Sequence, residues 1–517
     1  MIPRLSLLKC SVPTLSRALS YPQVPLTSPL PDLKIPLRTD NASQSWNIED
    51  SKFPPTTVTC LENGLRVASQ EAFGQSGIVG VLVDAGSRYE VTYTSGLSHI
   101  LQRMAFNGTA KYPTRDSVLA TLDPIGGMPN CQRARDVLIY MVSSLSHGLP
   151  QAMDVLAEAV WRPALAQEQL DAEKTGVGFE LDEIYNGPNS EALLEEMIHQ
   201  ASYPLNTLGL PNICPKENID NINRGELLTY LSSHFDPSRM VLAGVNVDHG
   251  QFLELAKQYF VEADTSWKGV AKRQIDGSIS QYSAADVKIK REGPPVVGPN
   301  PFPELIHVAI AMESCSYLDP DFFPYAVLNM YMGGGGSFSA GGPGKGMYTH
   351  LYQGVLTQHH WVYWAMAQNH AYKDSGIFCL LGSAHPSRAR DLTQVLCQQF
   401  HHMTGVPNDV ALSRAKEQLK SAMMMNLESK AVVFEDIGRQ LLGQDFKMSP
   451  EELCEKIDTV TSSDVQRVGQ RLMESSPAFA ALGDLSEVPS RTDLETALFK
   501  NKGVLRSKKK LFTFGQS

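Results

Sequence analysis

His99 opens the five residues of this chain that come closest to a catalytic constellation. A helix carrying His-x-x-Glu-His sets two imidazoles four positions apart on one face, where they grip a zinc ion, and the glutamate between them polarises the attacking water. Here the five positions read His99, Ile100, Leu101, Gln102 and Arg103. A neutral amide cannot accept a proton from water at any useful pKa, so general-base catalysis is lost at Gln102. Arg103 is permanently cationic. At roughly 5 Å and an intermediate dielectric its guanidinium repels a divalent ion by several kcal/mol. Taken by itself, His99 reads more readily as a lone structural histidine on a helix.

These residues need a helix to hold them, and the segment SGLSHILQRMAFNGT supplies one: Ile100, Leu101, Met104 and Ala105 form an apolar stripe, and Asn107-Gly108 is expected to close its C-terminus. Around it, short β-branched or alternating runs at 56–60, 78–83, 137–142 and 240–245 interleave with longer helical patterns. Their alternation predicts an α+β fold, with helices packed on one face of a mostly antiparallel sheet.

The fold occurs twice. ENIDNINRGELLTYLSSHFDPSRMVLAGVN, residues 217–246, and EKIDTVTSSDVQRVGQRLMESSPAFAALGD, residues 455–484, share an acidic start, an Ile-Asp pair, an amphipathic helix and a short buried strand. DVLIYMVSSLSHGLPQAMDVLAEAV and SGIFCLLGSAHPSRARDLTQVLCQQF echo each other as strand, polar turn and helix. Two homologous halves follow, at 45–265 and 279–517, joined by a linker at 266–278. A chain of 517 residues also exceeds what one hydrophobic core supports.

The first thirty residues differ in kind: Arg4, Lys9 and Arg17 stand among Ser and Leu with no acid before Asp32, the pattern of a mitochondrial transit peptide over 1–30. The net charge of −10 includes those three cations, so the remaining body is nearer −13. Such a body suits basic peptides and argues against nucleic acid. No apolar run approaches the ~20 residues of a membrane span. The eight cysteines are scattered without a Cys-x-x-Cys pair, as in a reducing compartment.

Glycine is densest over Gly333, Gly334, Gly335, Gly336, Ser337, Phe338, Gly341, Gly342, Gly344, Lys345 and Gly346. A phosphate cradle is disfavoured, since Gly346 follows Lys345 where Ser or Thr is needed. A surface loop and a peptide-contacting loop both remain open. The His359-His360 and His401-His402 pairs point in divergent directions and lack an obvious third ligand, and Met423, Met424 and Met425 read as packing or subunit interface.

The blocks TCLENGLRVASQ, AGSRYE, SRMVLAGV, VLNMYMGGGGSFSAGGPGKGMYTHLY, MMMNLESKAVVFEDIGRQ and AALGDL make the sequence similar, from about Tyr21 onward, to the alpha subunits of mitochondrial processing peptidases, a branch of the pitrilysin/insulinase-type inverted zinc peptidases. The resemblance implies that Glu180 stands at the third metal-ligand position and Glu173 at a supporting acid. His99 and Glu180 then fall short of three protein ligands, and no metal or other cofactor is expected in this chain. It further implies a non-catalytic, substrate-recognising subunit paired with a zinc-bearing beta subunit, with basic presequence peptides as ligands and the glycine-rich loop contacting them. The expected location is the mitochondrial matrix, peripheral to the inner membrane at most. A core structural subunit of the respiratory cytochrome reductase, complex III, is the alternative, and an active metallopeptidase with an unorthodox site a third, disfavoured by Gln102 and Arg103.

Overall fold

The computed structural model describes residues 53–187, 190–205, 207–261, 264–291, 303–336 and 347–506. The leader at 1–30 lies outside them. Two six-stranded sheets are formed. The first contains β1 (Thr56–Cys60), β2 (Arg66–Gln70), β3 (Ser76–Val83), β4 (Met128–Arg133), β5 (Leu138–Leu145) and β6 (Met240–Val245), in the order β1-β2-β6-β3-β5-β4. The second contains β7 (Asp286–Lys290), β8 (Ile306–Glu313), β9 (Gly334–Gly336), β10 (Val362–Ala371), β11 (Gly376–Ala384) and β12 (Ala478–Gly483), in the order β7-β12-β8-β11-β10-β9. Each sheet is antiparallel except for one parallel pair, β2–β6 and β7–β12.

The internal repeat is visible residue for residue. The helix Arg224–His234 leads into β6, and the helix Ser462–Leu472 leads into β12, with helices of 11 residues and strands of 6 in both halves. β5 runs through a short turn into the helix Leu149–Trp161, as β11 runs into Ala389–Met403. Overlaying the two strand orders puts β10 where β4 lies in the first half, so the glycine strand β9 is an extra edge beyond it.

The sheets are buried on both faces, and here the one-sided expectation needs correction. Along β3, Val79, Val81 and Val83 point into a core shared with the helix Leu149–Trp161. Leu82 points the other way, against Val433, Phe434, Ile437 and Leu441. Those four belong to the helix Lys430–Gln444, from the far half of the sequence. The exchange is reciprocal: Leu193, Leu194, Met197 and Ile198 of the helix Glu191–Ser202 cover Ala309 and Ala311 on the second sheet. The covered faces mix small and large residues, with Ala68, Ala243, Ala309 and Ala311 beside Leu82, Ile139, Val241, Ile377 and Leu381. At Gly80 a Cβ would sit 2.5 Å from the Phe434 ring, so close docking requires glycine there. Burying Phe434 completely is worth roughly 2–3 kcal/mol.

Candidate functional site

The helix Leu97–Met104 starts from Gly96, whose φ of 97° and close approach to Cys214 leave no room for a side chain. Its first turn is capped from a distance. The Glu90 carboxylate accepts hydrogen bonds from the backbone N–H of Gly96 and of Ser98, both at 2.6 Å. This puts a carboxylate at the positive end of the helix dipole. Burial pushes the Glu90 pKa up to about 7, against the pull of those two bonds. Leu97, Ile100, Leu101 and Met104 are buried on the inner face.

The helix ends earlier than Asn107-Gly108 implied. Met104 is the last helical residue, and Phe106 takes the left-handed conformation at φ 60°. Asn107 serves instead through its side chain, whose amide donates to Arg103 O at 3.1 Å and to Glu173 Oε1 at 2.8 Å. Gly108 is needed because a Cβ would lie 2.6 Å from Pro113 O.

His99 is fully buried, and its Nδ1 accepts the Cys214 backbone N–H at 3.2 Å. That fixes the proton on Nε2, which faces Glu180 Oε2 at 3.3 Å without the alignment of a directed hydrogen bond. Burial lowers the His99 pKa, overriding the opposing pull of Glu180, and Arg133 lowers it further. Contact with His99 lowers that of Glu180. Glu180 and Glu173 sit on one helix, Gln167–Asn186.

Gln102 faces the same cleft, but its amide is spent on structure. Nε2 donates to Cys131 O at 3.1 Å on the edge strand β4, and Oε1 accepts from the Arg133 guanidinium. Arg133 also donates through Nε to Asn212 O at 2.8 Å. Arg103 turns away: its Nε meets Glu173 Oε2 at 3.0 Å, and the side chain is 42% exposed. The cation with the stronger hold on His99 and Glu180 is therefore Arg133, which acts on both ahead of Arg103.

His99 and Glu180 are thus together, with Gln102 beside them and Arg103 paired outside to Glu173. Among the described residues no group of three or more His, Cys, Asp or Glu converges on a point that could hold a metal. Sequence reasoning missed Arg133, Glu90 and Cys214. Arg133 had a faint signal: it shares the inward parity of Pro129 and Cys131 on a strand that alternates exposed and half-buried. Glu90 and Cys214 had none, because both meet the helix only through the tertiary fold.

Of the glycine-rich run, Gly333 has φ 56°, and a Cβ there would lie 2.4 Å from Thr349. Gly334–Gly336 form β9, paired with Trp364, Ala365 and Met366 of β10. Ser337, Phe338, Gly341, Gly342, Gly344, Lys345 and Gly346 lie outside the described residues. His359 and His360 fall in a turn, whereas His401 and His402 lie on the helix Ala389–Met403. The His402 ring is 5.6 Å from His350, giving two imidazoles without a third ligand among the described residues.

Comparison with known proteins places the chain in a family. Residues 66–216 match the family described as insulinase (peptidase family M16), and residues 221–419 match the peptidase M16 inactive domain. The chain is 45% identical over 494 residues to the mitochondrial-processing peptidase subunit alpha of Bos taurus, covering 95% of this chain and 93% of that protein. It is 44% identical to the Homo sapiens protein of the same name, with the same coverage. The Caenorhabditis elegans protein of that name is 36% identical, over 90% of this chain and 92% of its own length. A solved chain in Complex III2 from Candida albicans superposes with a TM-score of 0.70 at 17% identity, over 86% of this chain and 99% of that one, a likeness of fold. The chain belongs to the M16, insulinase-type, peptidase family, in its group of mitochondrial-processing peptidase alpha subunits.

Proposed function

We propose that this chain is the non-catalytic, substrate-recognising subunit of a heterodimeric mitochondrial processing peptidase, binding presequences of imported precursors for cleavage by a zinc-bearing beta subunit. One observation carries the reading: where a catalytic base and a second imidazole would stand, Gln102 is tied to the backbone of β4 and to Arg133, and Arg103 is paired with Glu173. Neither can activate water or hold zinc. The names of the relatives support a mitochondrial location and a partner subunit. Among the described residues no helix is long and apolar enough to cross a membrane, in keeping with a matrix protein at most peripheral to the inner membrane.

In this reading an extended presequence adds to a strand edge, and the glycine-rich run at 333–346 contacts it, its scant side-chain bulk tolerating unrelated sequences. An acidic body favours the basic residues of such peptides. The experiment is to mix the purified chain, a zinc-bearing beta subunit and a fluorescent presequence. The chain alone should neither cleave nor retain stoichiometric zinc, the pair should cleave, and deleting 333–346 should raise KM. Turnover by the chain alone refutes the reading, and unchanged processing after the deletion removes the loop from it. Co-purification with cytochromes in place of a processing partner would favour the core-subunit alternative.

A further inference from the structure

We propose that the cavity at the seam of the two halves binds a single-chain amphipathic carboxylate, a long-chain fatty acid, with its tail among the helices of the second half and its head beside Lys373. This site is separate from peptide recognition and does not depend on it. The cavity holds about 410 Å³. That is the size of small-molecule sites, which favour domain junctions and combine an apolar wall with a few polar groups.

The wall comes from three helices: Phe322 and Phe323 on Phe322–Met332, Leu419 and Met423 on Asp409–Asn426, and Leu453 and Ile457 on Pro450–Thr459. Met423, one of the methionine run at 423–425, gives this wall an adaptable surface. The opposite end is charged, and its ion pairs decide which head group fits. Arg88 is held by both Asp374 oxygens at 2.7 and 3.1 Å. Asp84 pairs with Arg239 at 3.1 Å, Asp136 with Arg439 at 3.5 Å, and Asp436 with Lys447 at 3.3 Å.

Lys373 alone among the charged lining groups has no partner among the described residues. Two more lining groups have no hydrogen-bond partner among the described residues, the Tyr317 hydroxyl and the Gln444 amide. The 316–317 and 372–373 backbones are bonded to each other, through Ser316 Oγ to Lys373 O at 2.6 Å and Tyr317 N to Tyr372 O at 3.1 Å. One unmatched positive charge with two neutral donors next to an apolar slot fits a monoanionic head on an apolar tail. A basic amphipathic peptide would add positive charge where the only uncompensated charge is already positive.

The test titrates the purified full-length chain with cis-parinaric acid, a fluorescent fatty acid, and competes it with palmitate, methyl palmitate, lysophosphatidic acid and a basic amphipathic peptide. Expected are one saturable site, displacement by palmitate and none by the uncharged ester. Lys373→Glu should weaken binding about tenfold while Lys373→Arg preserves it. Ala326→Trp, which fills the cavity, should abolish binding. Lys373 is exposed, so its variants keep the fold, and a thermal melt checks this for all three. The proposal is overturned by the absence of saturable binding, by equal affinity of Lys373→Glu, or by equal competition from the ester. Stronger competition from lysophosphatidic acid would make the head a phosphate, and displacement by the peptide would make the occupant a peptide side chain; either overturns the fatty-acid assignment.

Discussion

His99 and Glu180 have the spacing of two zinc ligands, which makes the electrostatics of their cleft testable. Two ligands on tetrahedral zinc, with bonds of about 2.0–2.1 Å, lie about 3.3–3.4 Å apart. His99 Nε2 and Glu180 Oε2 are 3.3 Å apart. Arg103→His restores an imidazole four positions after His99, so ligand count alone predicts zinc binding. The structure predicts failure, because Arg133 stays bonded to Gln102 beside the metal position. A unit charge roughly 6 Å from a divalent ion costs about 5–6 kcal/mol at an effective dielectric near 20, about four powers of ten in affinity. Arg103→His should therefore lose zinc on dialysis, and Arg103→His with Arg133→Gln should bind about a thousandfold tighter or more, the glutamine keeping a donor for Gln102 Oε1. Competition against a chromogenic chelator, with metal analysis after dialysis, measures both. Tight stoichiometric zinc in Arg103→His alone, or equal affinity in the two variants, would show that Arg133 does not set the field of the site.

Three further outcomes are expected. Gly438→Ala, which gains helix propensity, should nevertheless destabilise the chain by roughly 1–3 kcal/mol in urea unfolding, because the new methyl would lie 2.1 Å from the buried Leu82 side chain; Phe434→Ala on the same helix should cost about 3–5 kcal/mol. Asp374→Ala should cost about 3–5 kcal/mol by the same assay, since it strands the buried Arg88 guanidinium and releases the Ser280 N–H held at 2.7 Å. His234 is fully buried, stacked on Tyr230, and burial takes its pKa down to about 4. Below about pH 6.5 the unfolded chain takes up a proton there that the folded chain refuses, so stability falls on acidification until about pH 4. His234→Gln should shrink the stability difference between pH 7 and pH 5 by about 2 kcal/mol, and an unchanged difference would mean the imidazole reaches water.

Much of this was legible because the relevant signals are local. The strand runs read at 56–60 and 240–245 are the strands observed, and the two copies of the helix-strand unit share one layout. His99 and Glu180, far apart in sequence, lie 3.3 Å from each other. What escaped is tertiary in origin. Reciprocal helix exchange leaves little periodic trace, since a strand apolar on both faces does not show which helix covers the second one: Leu82 and Ile139 meet a helix more than 280 residues further along the chain. The direction of Arg103 depended on Glu173 being reachable, and the cation controlling the cleft arrived from β4, some thirty residues further along the chain.

The helix that carries His99 is tied to its neighbours by its own hydrogen bonds. In a working zinc site the metal itself ties the site helix to its neighbours. Here hydrogen bonds do so: Gln102 to β4, Arg133 to Gln102 and to Asn212, Arg103 to the helix Gln167–Asn186, and Cys214 N–H to His99. Each satisfies a polar group that would otherwise be stranded in a half-buried cleft. Reverting a single position consequently exchanges a satisfied contact for an unsatisfied one without completing a ligand set. Gln102→Glu, for example, sets a carboxylate against Cys131 O and into the grip of Arg133, where it is held as a counter-ion and cannot serve as a base. The energetics make the degenerate site a stable state of its own, one that several simultaneous changes would be needed to leave.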